Sequence, residues 1–237
     1  MTRAPESDPE LERIRTEYER RRREIPEDFY ALHKRANLFL RHGQERALRD
    51  GLDRAGWLPL GERRVLEVGC GEGAWLGIFE RLGAVPEALA GIELDPERAA
   101  VCRQKHPAAT IEVGDAGQLP WPDASFDLVF QSTLFTSILD AGTRQRVAAE
   151  MLRVLRPGGL LVWYDFAFDN PRNPNVRGVG AGELRRLFPG CSWTLRRVTL
   201  APPLARRLVP RSWTLATLLE GLRLFNTHTL ATAWRPR

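Results

Sequence analysis

Val65-Leu66-Glu67-Val68-Gly69-Cys70-Gly71-Glu72-Gly73 decides the fold: a short apolar run carrying one acid breaks into three alternating glycines. A valine-rich run of that length reads as a buried strand, and the glycines after it as a tight turn. Glycine alone tolerates positive φ and places no Cβ between the main chain and a bound molecule. Gly69, Gly71 and Gly73 therefore allow a ligand to lie against the backbone. Glu67 restricts what that ligand is, because a carboxylate beside the turn repels a pyrophosphate and suits a cation such as the ammonium of an amino acid.

A second apolar run, Ala88 to Ile92, ends at Glu93. That is about 20 residues past the last glycine, where an open α/β sheet presents the acid that binds ribose hydroxyls. A third run, Thr110 to Val113, leads into Gly114-Asp115-Ala116, and an acid there can accept a hydrogen bond from an adenine amino group. Together the three strand ends describe a pocket for an adenosine with a positively charged amino-acid tail. A nicotinamide-dependent reductase fits less well, since Gly-x-Gly-x-Gly with a preceding acid departs from the Gly-x-Gly-x-x-Gly turn.

Strand and helix then alternate. Strands are expected near 64–68, 88–93, 109–113, 126–131 and 159–165, and helices near 73–82, 96–105 and 141–155, with Pro96 opening one helix and Pro157-Gly158-Gly159 following another. Such alternation calls for a parallel sheet covered on both faces, joined by right-handed crossovers. Ahead of it, polar residues 1–9 read as a disordered tail, and 10–24 and 27–55 as helices separated by Pro26. Beyond residue 166 come a loop over 169–182 rich in Asn, Pro, Arg and Gly, a short helix near 182–188, and strands over 192–200 and 228–234. The expectation is an α/β, doubly wound, mostly parallel seven-stranded sheet with an antiparallel last strand. Residues 1–58 form the tail and helical extension, and 59–237 the main domain, with an insertion at 202–226 that caps the substrate pocket.

Four ordered motifs resemble the class I S-adenosylmethionine-dependent methyltransferases over roughly residues 60–170. They are Glu67 to Gly73, Gly91-Ile92-Glu93-Leu94-Asp95-Pro96, Gly114-Asp115-Ala116 and Ser125-Phe126-Asp127-Leu128-Val129, and Leu155-Arg156-Pro157-Gly158-Gly159 completes the series. The resemblance implies S-adenosylmethionine as cofactor. By it, Glu67, Gly69, Cys70, Gly71 and Gly73 hold the methionine part, Glu93 and Leu94 the ribose side, Asp115 and Ala116 the adenine edge, and Gln131 approaches the amino group through its backbone. Glu93 stands where the family more often has aspartate, which lengthens its reach by one methylene. Segments 170–178 and 200–206 resemble a bacterial subgroup that modifies small molecules or glycans, which implies a small-molecule or glycan-type acceptor.

The chain of 237 residues, 43% hydrophobic and 27% charged, is ordinary for one domain with additions. No run of about 18 apolar residues is present and the first residues are charged, so a spanning helix and a secretory signal are not expected and a cytoplasmic location is. Cys70, Cys102 and Cys191 lack metal-ligand spacing, so no metal site is expected. The charge of +5 raises a nucleic-acid reading, but Arg20 to Arg23 form one run inside a helix that also carries Glu10, Glu12, Glu17, Glu19 and Glu24 and reads as solvated and paired at i, i+4. An RNA methyltransferase and a catalytically silent methyltransferase-like interaction protein remain alternatives. The insertion mixes Arg206, Arg207 and Arg211 with Trp213 and several leucines, a composition compatible with packing or with peripheral contact on an anionic membrane. A base is needed only for an acceptor protonated at neutral pH, and the candidates for catalysis are Asp165 and His228, with His42 and His106 read as structural. Neither the acceptor nor the oligomeric state is legible.

Overall fold

The computed structural model describes residues 8–171 and 173–236. Its elements, in chain order, are α1 (Pro9–Glu24), α2 (Arg35–Arg54), β1 (Val65–Val68), α3 (Leu76–Arg81), β2 (Leu89–Glu93), α4 (Pro96–Lys105), β3 (Thr110–Val113), β4 (Phe126–Ser132), α5 (Ala141–Val154), β5 (Leu155–Phe166), α6 (Ala181–Leu187), β6 (Ser192–Leu200), α7 (Pro202–Leu208), α8 (Trp213–Leu222) and β7 (Asn226–Trp234). The strands form one seven-stranded sheet in the order β3-β2-β1-β4-β5-β7-β6. β1 to β5 are parallel, and β7 lies antiparallel between β5 and β6. Two reversals restore direction, so β6 runs with the core and its carboxyl end opens on the same rim as β1 to β5. Strand order turns back between β1 and β4, the place where open α/β sheets bind ligands.

Alternation along each strand divides the core into two layers. Leu66, Val68, Val129, Leu161 and Trp163 pack on one face with Val147 and Met151 of α5 and Leu184 of α6. Val65, Leu128, Phe130, Leu160, Val162 and Tyr164 pack on the other with Leu48 and Leu52 of α2 and Ile78 and Phe79 of α3. Leu48 and Leu52 are fully buried, and each such side chain contributes about 1.5–3 kcal/mol. The helical extension is thus part of the main core. A third cluster, with Phe39 and Leu40 of α2, Leu200, Ala205 and Ala216, ties α7 and α8 onto it.

Several elements differ from their expected limits for local reasons. The single helix anticipated over 27–55 is a 3-10 turn (Glu27–Tyr30) followed by α2. Between them Asn37 Nδ2 donates to Phe29 O and Ala31 O, satisfying carbonyls that a continuous helix would have bonded internally. α3 starts at Leu76 rather than 73 because Gly73 still has φ of 82°. α1 begins one residue early, at Pro9, capped by Asp8, whose side chain accepts from Glu10 N. The rest of the tail reading, residues 1–7, lies outside the described residues. Arg144, wholly buried, donates to Ile138 O, Arg177 O and Glu183, and so fastens the loop before α6 to α5.

Candidate active site

A cavity of about 1050 Å³ opens over the carboxyl ends of the parallel strands. Its walls include Gly69 after β1, Glu93 and Leu94 after β2, Gly114, Asp115 and Ala116 after β3, and Ser132, Thr133 and Leu134 after β4. Each acid's position follows from its strand: parallel register sets Glu67 opposite Gly91 and Glu93 opposite Val113, so neighbouring strand ends stop at one level. Gly69 has φ of 76°, and a Cβ there would stand 3.1 Å from Leu134. The left-handed backbone favours glycine there, and any side chain would crowd Leu134.

Glu93 is nearly buried, and its oxygens accept from Gly71 N (2.7 Å) and Asp95 N (3.1 Å) while Arg98 stands 3.8 Å away. A carboxylate has about four acceptor positions, so two remain for a diol on the cavity side. Asp115 Oδ1 accepts from Gly117 N at 2.8 Å, which orients its second oxygen independently of other side chains. Gly71, Gly73 and Cys70 do not line the cavity. A Cβ on Gly71 would meet the Arg98 guanidinium, one on Gly73 would meet His106 and Cys102, and Cys70 packs on Gly91. They shape the turn from behind rather than touching its contents.

Two buried polar atoms near the turn lack a hydrogen bond. Glu67 Oε2 and Arg41 Nη1 are both shielded from solvent without a hydrogen bond. Burial raises the Glu67 carboxyl well above its ordinary range, Cys102 and Glu93 add to the rise, and Arg41 and Arg98 oppose it. Arg41 lines the cavity with its guanidinium 5.3 Å over the Trp75 ring, whereas Glu67, expected to hold the methionine part, is buried within β1 and does not line the cavity. Unpaired buried charges are costly. A buried carboxyl that a neighbouring ammonium would ionise, and a half-buried guanidinium near it, fit a zwitterion, with ammonium toward the first and carboxylate toward the second. Read from Asp115 through Glu93 to Arg41, the wall fits a nucleoside with an amino-acid tail, the shape of S-adenosylmethionine.

The remaining chamber is apolar with a few polar groups. Phe29, Tyr30, Phe166, Phe168, Tyr164 and His228 contribute to it, and Ala201, Pro202, Pro203 and Arg206 bring the start of the insertion to its mouth. His228 stacks on Tyr164 at 4.9 Å and lies 3.9 Å from Phe166. Burial, with Arg197 adding to it, lowers its imidazole to about 3, so the ring is neutral at pH 7 and a weak base. Burial raises the Tyr164 phenol, which hydrogen-bonds Thr199 at 2.8 Å.

Asp165 requires a correction. Strand alternation turns it away from the cavity, fully buried, where it accepts from Thr136 N (3.2 Å), Thr136 Oγ1 and Phe166 N (2.8 Å). Burial still pushes it up to about 6. It anchors the segment after β4 to the end of β5 and does not face an acceptor. The Gln131 side chain is also turned inward, accepting from Leu134 N and donating to Tyr164 O, which leaves Ser132 and Thr133 as the wall. His106 is held between Glu80 (2.7 Å) and Gly73 O (2.9 Å), and His42 is exposed beside Trp213.

The α1 contribution is absent from the sequence reading. The anticipated i, i+4 pairs form as Arg21–Glu17 and Arg20–Glu24, but the helix also carries Leu11, Ile14 and Tyr18 into the cavity wall, beside Arg20, Arg21 and Glu24. Glu10 accepts from Leu139 N (2.5 Å), Glu17 accepts from Asn175 Nδ2 (2.9 Å), Arg22 pairs with Asp95 and Glu97, and Arg98 lies over the Tyr18 ring. α1 thereby bridges from α5 to α4 across the nucleoside end. The spacing Leu11, Ile14, Tyr18 is a helical stripe and was the available signal. Nothing in the sequence announces Arg41 or Gln44 of α2, both cavity residues. Among the described residues no group of His, Cys, Asp or Glu could hold a metal, and no helix is long and apolar enough to cross a membrane.

Residues 66–163 match the family model described as a methyltransferase domain. The chain is 32% identical over 134 residues to a probable S-adenosylmethionine-dependent methyltransferase of Mycolicibacterium smegmatis, covering 53% of this chain and 50% of that protein. It is 36% identical over 107 residues to a fatty-acid O-methyltransferase of the same organism, covering 44% and 37% respectively. The chain spans about half the length, or less, of these curated relatives. A solved S-adenosylmethionine-dependent methyltransferase from Mesorhizobium loti superposes with TM-score 0.59 at 20% identity, over 80% of this chain and 98% of that one, and shares the fold.

Proposed function

We propose, from the premise that residues 66–163 are a class I S-adenosylmethionine-dependent methyltransferase domain, that this chain methylates an apolar small molecule whose nucleophile is already deprotonated, a carboxylate above all. The observation that carries this reading is the single cavity joining two unlike ends. Asp115, Glu93 and Arg41 stand along one end, and Phe29, Phe166, Phe168 and His228 along the other.

When bound, the cofactor supplies an electrophilic methyl on a sulfonium, which an acceptor attacks in line. The chain's own tasks are to bind, orient and exclude water. Asp115 and Ala116 set the adenine edge, and Glu93 takes the ribose diol with its two remaining acceptor positions. Glu67, buried at the end of β1, favours an ammonium near the turn, which in turn favours its ionised form, and Arg41 takes the carboxylate. Tyr18 and Ile14 of α1 cover this end, so the nucleoside is closed in by a helix latched at Glu10 and Arg22.

The acceptor assignment follows from what the second end offers. His228, lowered to about 3, and Tyr164, raised by burial, are poorly matched to removing a proton at neutral pH. A carboxylate needs no base. Arg206, 4.7 Å over the Phe29 ring at the mouth, complements its charge, while the aromatic wall accommodates an apolar body. The relative named as a fatty-acid O-methyltransferase supports this choice of acceptor class. The test is incubation of the pure protein with isotopically labelled S-adenosylmethionine and a panel of long-chain carboxylic acids, their alcohols and a glycan extract. Labelled methyl ester from the acids supports the reading. Label in the alcohols or glycans alone refutes the acceptor class while leaving the cofactor assignment standing.

A further inference from the structure

The insertion between β6 and β7 presents a surface that catalysis does not use. Along α8 the outward residues Thr214, Leu215, Thr217, Leu218, Gly221 and Leu222 are all exposed, and none is charged. Leu215, Leu218 and Leu222 fall at i, i+3 and i+7, one stripe of the helix. The turn that follows adds Leu224 and Phe225. These five large apolar side chains are 45% to 77% exposed. The inner side of the same helix is already satisfied by Ala216 and Leu219 against the third core cluster, so the outer stripe is surplus to folding. An outward helix face of a water-soluble surface normally carries charge.

The charges around the stripe have one sign. Arg207 and Arg211 precede α8 and Arg223 follows it, all exposed. Glu220 is the one acid between residues 201 and 226. It is turned inward, its side chain 11% exposed, with Arg46 2.6 Å away. The outside of the insertion is therefore leucine, phenylalanine and arginine without a counter-charge of its own.

We infer that α8 and the Leu224-Phe225 turn form a docking surface for an anionic lipid bilayer. The leucine stripe would enter the acyl boundary, with Arg207, Arg211 and Arg223 among the headgroup phosphates. A second copy of this chain fits less well, because mating two such faces would oppose arginines with arginines. Placement strengthens the assignment: Pro202, Pro203 and Arg206 of the same insertion line the cavity mouth. A protein seated on α8 thus holds that mouth close to the bilayer, where apolar molecules reside. The inference stands apart from the methyl-transfer reading, since membrane binding is measured with neither cofactor nor acceptor present.

The test is cosedimentation of the full chain with vesicles of phosphatidylcholine alone and of phosphatidylcholine mixed equally with phosphatidylglycerol, at low and high salt. The expected result is binding to the mixed vesicles only, weakened by salt. The double variant Leu218→Asp, Leu222→Asp should lose at least about tenfold in apparent affinity, with its melting temperature and cofactor affinity unchanged. Arg207→Gln with Arg211→Gln should weaken binding and flatten its salt dependence. No binding to mixed vesicles at low salt overturns the inference, as does equal binding by the leucine variant. A concentration-dependent dimer in light scattering that the leucine variant dissolves would also overturn it and assign the stripe to self-association.

Discussion

The two ends of the cavity were built under different rules. At the nucleoside end the floor of the wall comes from strand termini and the next few residues, Gly69, Glu93, Leu94, Asp115 and Ala116, with Ile14 and Tyr18 of α1 and Arg41 of α2 laid over it. At the acceptor end the wall is assembled from the 3-10 turn, β5, β7 and the insertion, segments distant in sequence. The first end recognises one molecule by local backbone geometry. The second is shaped by how helices happen to pack over the rim. That contrast explains why the cofactor is more firmly assigned than the acceptor, and it makes the ends separable by mutation.

The largest separation should come from Glu93→Ala. It removes the ribose acceptor and leaves Gly71 N and Asp95 N without their carboxylate. Hydrogen bonds to charged groups contribute about 1.5–3 kcal/mol, so cofactor affinity should fall about 100-fold by calorimetry. Acceptor binding should be unaffected. A loss below about threefold would mean that the nucleoside lies elsewhere.

Stability should distinguish two buried groups beside the acceptor end, Asp165 of β5, which faces away from the cavity, and His228 of β7, which lines it. His228 is depressed from its ordinary value to about 3, so protonation favours the unfolded chain and stability is lost as pH falls from about 6.5 toward 3. Asp165 is raised to about 6, so the folded chain holds its proton more tightly and stability is lost as pH rises from about 4 through 6. The two slopes oppose each other between pH 4 and 6. Asp165→Asn should leave the His228 slope exposed, with stability declining on acidification, and His228→Phe should leave the reverse. Each difference should be on the order of a few kcal/mol across the window in urea titrations. Parallel profiles for both variants would refute the assignment of these shifts.

Arg41→Leu sharpens the comparison within the nucleoside end. It should weaken S-adenosylhomocysteine about tenfold while leaving methylthioadenosine, which lacks the zwitterionic tail, unchanged. An equal loss for both ligands would show that Arg41 acts through packing on Trp75 instead. The smallest effect is expected from Arg206→Ala. This exposed cation at the mouth should raise KM for an anionic acceptor a few-fold without changing cofactor affinity.

Legibility in the sequence followed the same division. The sheet, its parallel core and the carboxylates at three strand ends could be read because strand period and glycine turns are local properties. Gly71, Gly73 and Cys70 shared that signal, but the turn's curvature places them behind the wall, which spacing does not encode. Asp165 was anticipated to face the acceptor because it sits at the rim end of a central strand. It is turned the other way by pleat, one residue out of phase with Tyr164, which does line the cavity. α1 read as solvated because its charges dominate its composition, although Leu11, Ile14 and Tyr18 marked an inner face. Arg41 left no trace in sequence, since its meaning depends on standing unpaired near Glu67 once α2 has packed on the sheet.

The account rests on acids at adjacent strand ends and a half-buried arginine, Arg41, whose Nη1 has no hydrogen bond, enclosing a zwitterionic nucleoside. The most direct test is calorimetric titration of S-adenosylmethionine and S-adenosylhomocysteine into folded protein freed of copurified nucleoside. The account predicts saturable binding of both at one site per chain, lost together in Glu93→Ala. Absence of binding by the folded protein, or binding that Glu93→Ala leaves intact, would contradict it.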